Sequence, residues 1–357
     1  MATDTRRTFV LASRASTLAK IQTEIAQRAL EAAHPDVAFG TSFMNTQGDK
    51  NQSQALYLLG GKALWTKELE VALLDGTVDM LVHSLKDVPT TLPPGCALAA
   101  ILEREDPVDS LVVKKGLLVG GREVRSLVDL PDGAVVGTSS VRRVAQLRRQ
   151  YPGLIFQDVR GNLNTRMAKL DDPSGPYSAI ILAKAGMVRL GFGDRLTADL
   201  PAPTLFHAVG QGALGIEIRA DDAEAARLCA TLTHWETHWT CSAERACLRV
   251  LEGGCSVPVG VHSTFVVESA AQRRATLTLV GTITSLDGGV HVQEELKALV
   301  TSLAEAEDVG ARLAHTLIAN GGRAILDDIT KDRARRAASA DAVDEESSKS
   351  SVPIPPV

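Results

Sequence analysis

The stretch AVVGTSSVRRVAQLRRQ, residues 134–150, reads as a strand, a loop and a helix. Small and β-branched apolar residues come first. Gly137 and the hydroxyls of Thr138, Ser139 and Ser140 then make a loop suited to capping, and apolar residues at helical spacing follow. The same order recurs where FVLASR (9–14) leads into STLAKIQTEIAQRALEAA (16–33), and again in VDMLVHSLKD (78–87), LIFQDVRGNLNTRMAKL (154–170) and AIILAKAGMVRLG (179–191). Five such junctions imply a parallel α/β architecture, with Lys184 an odd cation inside the last strand segment.

Beyond about residue 234 the texture changes. VPVGVHSTFVV, ATLTLVGTITSLDGG and VHVQEELKALV read as strands with a turn at 287–289, and AEDVGARLAHTLIANGG as a covering helix, so a smaller α+β domain is expected there. VGQGALGIEIR (209–219) reads as a strand returning to the first unit. The expected division is 1–108 with 209–233, 109–208, 234–333, and a disordered tail at 334–357 that is poor in large apolar residues.

Composition bounds the function. The 357 residues are 45% hydrophobic and 23% charged, an ordinary globular profile, and the formal net charge of -5 excludes a surface built mainly for nucleic acid. No apolar run approaches the roughly 18 residues a membrane span needs, and the first residues lack the apolar core of a signal peptide, so a cytoplasmic, membrane-free protein is expected. Five cysteines without paired spacing point to free thiols and to no metal site. No phosphate loop of the GxxxxGK[ST] kind occurs, and VGQGALG lacks the following helix and acid of a dinucleotide fingerprint.

Cations gather at the junctions: Arg14, Lys86, Arg142 and Arg143, Arg160 and Arg166, and Arg189. In open α/β sheets those junctions face the ligand crevice, and guanidinium forks bind carboxylates bidentately, so the recurrence implies a ligand with several carboxylates or phosphates. Any one of them alone would read as a solvated helix face. In HSLKDVP (83–89) the lone acid Asp87 sits among those cations, and a proton-handling or cation-stabilising role and a surface Lys–Asp pair fit it equally. His83 reads as a packed strand residue. In EGGCSVP (252–258) Cys255 falls in a turn between two glycines and a proline; a single thiol reads by default as a small buried hydrophobe.

Taken in order, SRASTLAKIQT, TKELE, HSLKDVPT, VGTSSVRR, RGNLNTR, GQGALG and EGGCSVPV resemble the porphobilinogen deaminase family over nearly everything from about residue 9 to 330. The resemblance implies two type II periplasmic-binding-protein-like domains around a cleft, plus a smaller α+β C-terminal domain. It implies a dipyrromethane cofactor held by a thioether to Cys255, with Asp87 catalytic.

By the same resemblance, Ser84, Lys86, Thr138, Ser139, Ser140, Arg142, Arg143, Arg166, Arg189, Gln211 and Gly212 are cofactor-binding. Arg14, Ser16, Gln22, Arg160, Gly161 and Asn162 lie on the side of the incoming porphobilinogen. It also implies a monomer that condenses four porphobilinogens, with loss of ammonia, and releases hydroxymethylbilane. A binding protein of the same architecture, capturing a polycarboxylate without chemistry, is the competing reading of the cation pattern, though it has no need of a third domain or of Cys255.

Overall fold

The computed structural model describes residues 7–46, 65–252, 257–332 and 335. Cys255, residues 47–64, and the tail expected to be disordered, Arg335 apart, lie outside the described residues. In chain order the first part contains β1 (Thr8–Arg14), α1 (Thr17–Ala33), β2 (Ala38–Met44), α2 (Lys67–Leu74), β3 (Met80–Ser84) and β4 (Cys96–Ile101). There follow β5 (Asp109–Val113), the two-residue strands β6 (Leu118–Val119) and β7 (Arg122–Glu123), β8 (Val135–Gly137), α3 (Val141–Gln150), β9 (Ile155–Gln157), α4 (Leu163–Asp171), β10 (Ala179–Ala183), α5 (Lys184–Arg189) and β11 (Ala198–Leu200). The chain ends with β12 (Leu214–Arg219), α6 (Ala223–Ala230), α7 (Trp235–Glu252), β13 (Val259–Ser269), β14 (Arg274–Thr284), β15 (His291–Val300) and α8 (Leu303–Leu317).

The main sheets are β2-β1-β3-β12-β4 and β11-β5-β10-β8-β9, each of five strands. β1 runs parallel to β2 and β3, and β8 parallel to β9 and β10, as the junctions predict. Each sheet also holds one reversed strand, β12 between β3 and β4 and β5 between β10 and β11. The all-parallel expectation is corrected there for a topological reason. β5 and β12 are the first strands the chain lays down after crossing from one sheet to the other, and each enters its new sheet from the opposite end. Two such sheets exchanging strands form the type II periplasmic-binding-protein arrangement.

Strand periodicity shows why both sheets are covered on two sides. Phe9 and Leu11 point into one core with Leu30 of α1 and Leu228 of α6, whereas Ala12 points into another with Leu69 and Leu73 of α2. In the second sheet Ile181 packs with Leu147 of α3, and Ile180 and Leu182 pack with Leu170 and Met187. Among the described residues the third sheet, β13-β14-β15, is covered on one face only. Leu277 and Leu279 pack there against Ala243 and Cys247 of α7 and Leu313 of α8. The two helices cross so closely that a Cβ at Gly310 would stand 1.9 Å from the Ala243 carbonyl oxygen. α7 has no counterpart in the sequence reading, because the aromatic and threonine residues at its start hide the helical period.

Lys184 does not sit in a strand. It opens α5, and its ammonium reaches Asp106 at 2.9 Å and Asp199 at 2.6 Å, so it ties the first crossing to the edge strand β11 of the second sheet. The crossings also bond directly, Leu102 N–H donating to the Leu214 carbonyl and Glu105 N–H to the Gly212 carbonyl. Gly212 has φ +89°, and a Cβ there would lie 2.3 Å from the Glu105 carbonyl oxygen, so only glycine allows this approach.

Candidate active site

On the first sheet, β1 ends at Arg14 and the next residues turn into α1, whose N-cap Ser16 accepts a hydrogen bond from Ala19 N–H. One turn into that helix, Gln22 is buried, and its amide exchanges hydrogen bonds with the Ser84 hydroxyl at the end of β3 (2.9 and 3.0 Å). The chain then tightens into a single 3₁₀ turn, Leu85–Asp87. Arg14, Gln22, Trp65, His83, Ser84 and Asp87 line one cavity, with the Arg14 guanidinium 4.2 Å above the Trp65 ring. Among the described residues Asp87 makes no hydrogen bond or ion pair.

The second sheet presents the arginines. Ser140 caps α3, Thr138 Oγ accepts from Ser140 N–H, and Ser139 donates to the Val159 carbonyl, so the hydroxyl run predicted to reach a ligand is partly spent on shaping its own loop. Asn162 caps α4 in the same way, and Gly161 (φ +109°) turns the chain so that its carbonyl accepts from Arg166 Nε at 2.8 Å. Arg189 donates to the Gly212 carbonyl, and Lys169 to that of Arg160.

Arg142 and Arg143 are deeper than the sequence suggests. Both are buried and both pair with the fully buried Asp109 at the start of β5, at 2.7 and 2.8 Å. Arg142 also donates to the Phe206 carbonyl and Arg143 to that of Ile181. Gln211 closes this arrangement by donating to Asp109 and to the Pro107 carbonyl, while Lys86 Nζ lies 3.5 Å from its side-chain oxygen.

The carboxylates near them, Asp109, Asp87 and Asp158, do not offset what burial does to these cations. Burial drives the Lys86 ammonium down to about 8, with Asp87 pulling against it and Arg143 reinforcing it. Burial, then Arg143 and Arg160, drives Arg166 down to about 10. Arg142 is lowered too, although it touches Asp109. A cation whose proton is loosened in this way marks positive charge that lacks a counter-ion. The site therefore fits a group with several carboxylates, whose charge would oppose these shifts.

Sequence reasoning missed Asp109, Arg104 and Glu244. Arg104 on the first crossing forks onto Glu244 of α7 (2.7 and 3.0 Å) and donates to the Gln211 carbonyl; Glu244 also accepts from Gly210 N–H and the Ser263 hydroxyl. The crossing is thus held to the third domain. Asp109 left a signal, an acid opening an otherwise apolar strand. Glu244 left none, since only α7's burial separates it from a surface charge.

Comparison with known proteins follows this geometry. Residues 9–227 match a family model described as porphobilinogen deaminase, dipyromethane cofactor binding domain, and residues 238–319 match one described as porphobilinogen deaminase, C-terminal domain. The chain belongs to the porphobilinogen deaminase family. Curated porphobilinogen deaminases from Gloeobacter violaceus and Debaryomyces hansenii are 49% and 46% identical to it, covering 90% of this chain in both cases and 94% and 88% of theirs. Among solved structures, the periplasmic aliphatic sulphonate binding protein SsuA of Escherichia coli is similar at 13% identity and a TM-score of 0.35, covering 68% of this chain and 70% of that one. The fold assignment rests on the strand order and polarity above.

As a porphobilinogen deaminase the chain is a transferase of tetrapyrrole biosynthesis, a hydroxymethylbilane synthase that works with a dipyrromethane cofactor. The loosened Lys86 has a signed consequence in cofactor-free protein. Between about pH 8 and about 10.5 the unfolded chain carries a proton on Lys86 that the folded chain has released, so stability should rise with pH across that window. Thermal unfolding of wild type and Lys86→Met side by side measures it, and the gain should be missing from the variant.

Proposed function

We propose that this porphobilinogen deaminase uses Asp87 as its catalytic carboxylate, Cys255 as the anchor of its dipyrromethane, and the cations of the second sheet to hold carboxylates. The observation that carries the reading is the position of Asp87, in the same cavity as Arg14 and Gln22 yet within the field of Lys86 and Arg166. When bound, the dipyrromethane supplies a free pyrrole α-carbon as nucleophile. Lys86, Arg166, Arg142 and Arg143, with the loop hydroxyls, orient its acetate and propionate arms. Arg14 and Gln22, with the N-terminal turns opened by Ser16 and Asn162, receive the carboxylates of porphobilinogen. Asp87 stabilises the positive charge that develops on the substrate ring as ammonia departs.

Cys255 comes three residues after the end of α7 in the sequence, and Glu244 of that helix is clamped to Arg104 of the first crossing. Arg189 and Gln211 join the second crossing to the cation cluster. The division expected from sequence, with one exchanging pair of domains and a third that carries the anchor, is the organisation this mechanism needs. A cytoplasmic setting accords with the free thiols of Cys96, Cys229, Cys241 and Cys247, and the proposal includes a monomer acting on a small molecule without nucleic acid or membrane.

Intact mass tests the anchor. Purified protein should exceed its sequence mass by two pyrrole units, and Cys255→Ser should lose that excess; active protein of unmodified mass would refute the assignment.

A further inference from the structure

Behind the cavity lies a buried group of ionisable residues that the proposed chemistry leaves unused. His83 on β3 and Glu217 on β12 stand on the same face of the sheet, the face covered by α2, with Nε2 3.2 Å from Oε2. The approach is close but not aligned as a hydrogen bond. Both Glu217 oxygens, His83 Nε2 and Glu70 Oε1 have no hydrogen-bond partner among the described residues.

Glu217 is completely buried, and Glu70, from α2, nearly so. Burial, reinforced by the charge of Glu217 against the pull of Thr66 and His83, pushes Glu70 up. Cys96 faces the same compartment from β4, its thiol raised to about 12 by burial and then by Glu217, and Arg14 and Asp87 face His83 across the cavity. Neither carboxylate has a lysine or arginine ion pair among the described residues. Two carboxylates in a dry compartment with one imidazole cannot all be ionised without a large desolvation cost, so the group must hold a proton and be able to exchange it. Of the three, His83 is the one that lines the cavity.

We propose that His83, backed by Glu217 and Glu70, is a positioning residue that takes up the proton released at each condensation, draining it from Asp87. The inference rests on the assignment of Asp87 above and deepens it. In each cycle the C–N bond of the substrate's protonated arm breaks, its electron pair leaves with ammonia, and a ring-stabilised cation remains. A C–C bond then forms from the α-carbon of the chain end, and that carbon's hydrogen leaves as a proton. The sum is a lengthened chain, ammonia and one proton, which has to move off Asp87 before the next ring arrives.

His83→Gln in the holoenzyme should lower kcat about tenfold or more, with KM within about twofold, and should displace the acid limb of log kcat against pH. Glu217→Gln should act in the same direction. Asp87→Asn run in parallel separates the two ideas: an inactive Asp87 variant beside a His83 variant with unaltered kcat and pH profile would overturn this inference alone, while an active Asp87→Asn would remove the reading beneath it. Should the variants fail to fold, the unaltered holoenzyme decides through ring nitrogen shifts of labelled histidine. The His83 ring shifts should differ between resting holoenzyme and holoenzyme under turnover, and a ring with the same shifts in both would overturn the proposal.

Discussion

Asp87→Asn should leave a folded protein that still carries its dipyrromethane mass and turns over about 10²- to 10⁴-fold more slowly. The substitution keeps the size of the side chain and removes its charge. Among the described residues Asp87 has no hydrogen bond or ion pair to lose, so the fold should tolerate the change. The site around it should not. Lys86 and Arg166 already hold their protons loosely, and Asp87 is among the few charges that oppose this. A transition state that places positive charge on the substrate ring, in a cleft rich in cations, depends on a negative group at that spot. Single-turnover kinetics with mass spectrometry separate loss of chemistry from loss of primer. Near-normal turnover would take Asp87 out of the mechanism.

The strand–loop–helix units were legible because each rule is local. Ser16, Ser140 and Asn162 cap the helices they precede, and the apolar strands carry the period of a sheet buried on both sides. Direction was less legible. β5 and β12 look like any other apolar strand, and only the path of the chain between sheets reverses them. The convergence of cations was legible as a pattern, but their depth was not. Arg142 and Arg143 read alike as helix-face residues, and what distinguishes them is a partner, Asp109, more than thirty residues earlier. Lys184 misled for the opposite reason. An isolated cation after an apolar run has no local signature of the two acids, Asp106 on the first crossing and Asp199 on β11, that it joins. His83 was read as a packed strand residue, which its burial matches; its carboxylate neighbours come from β12 and α2, distant in sequence.

Replacing Asp109 by alanine should cost about 3–5 kcal/mol, the range seen when one partner of a buried ion pair is removed. The penalty arises less from the lost attraction than from what remains. Arg142 and Arg143 would stay inside the second sheet, held by the Phe206 and Ile181 carbonyls, with no carboxylate between them, and the Gln211 amide would lose one of its two acceptors. The pair of arginines already overdraws its single acid, since Arg142 is lowered even with Asp109 in contact.

Asp109 itself is held well below the usual carboxylate range, by Arg142 and Arg143 against the effect of its burial. Its contribution should therefore be complete above about pH 4 and vanish only in stronger acid, so the wild-type and Asp109→Ala melting curves should differ most near neutrality and converge as the pH falls. At neutral pH the midpoint should drop by roughly 5 °C. Equal midpoints would mean that the two guanidiniums are balanced by something other than Asp109. The same variant reaches the active site without touching it. Asp109 is one of the charges that helps Lys86 keep its proton, and Gln211 connects the two. Its removal should shift Lys86 further below about 8 and weaken carboxylate binding at slightly alkaline pH before it does so at neutral pH, which a pH series of substrate KM on the folded fraction would reveal.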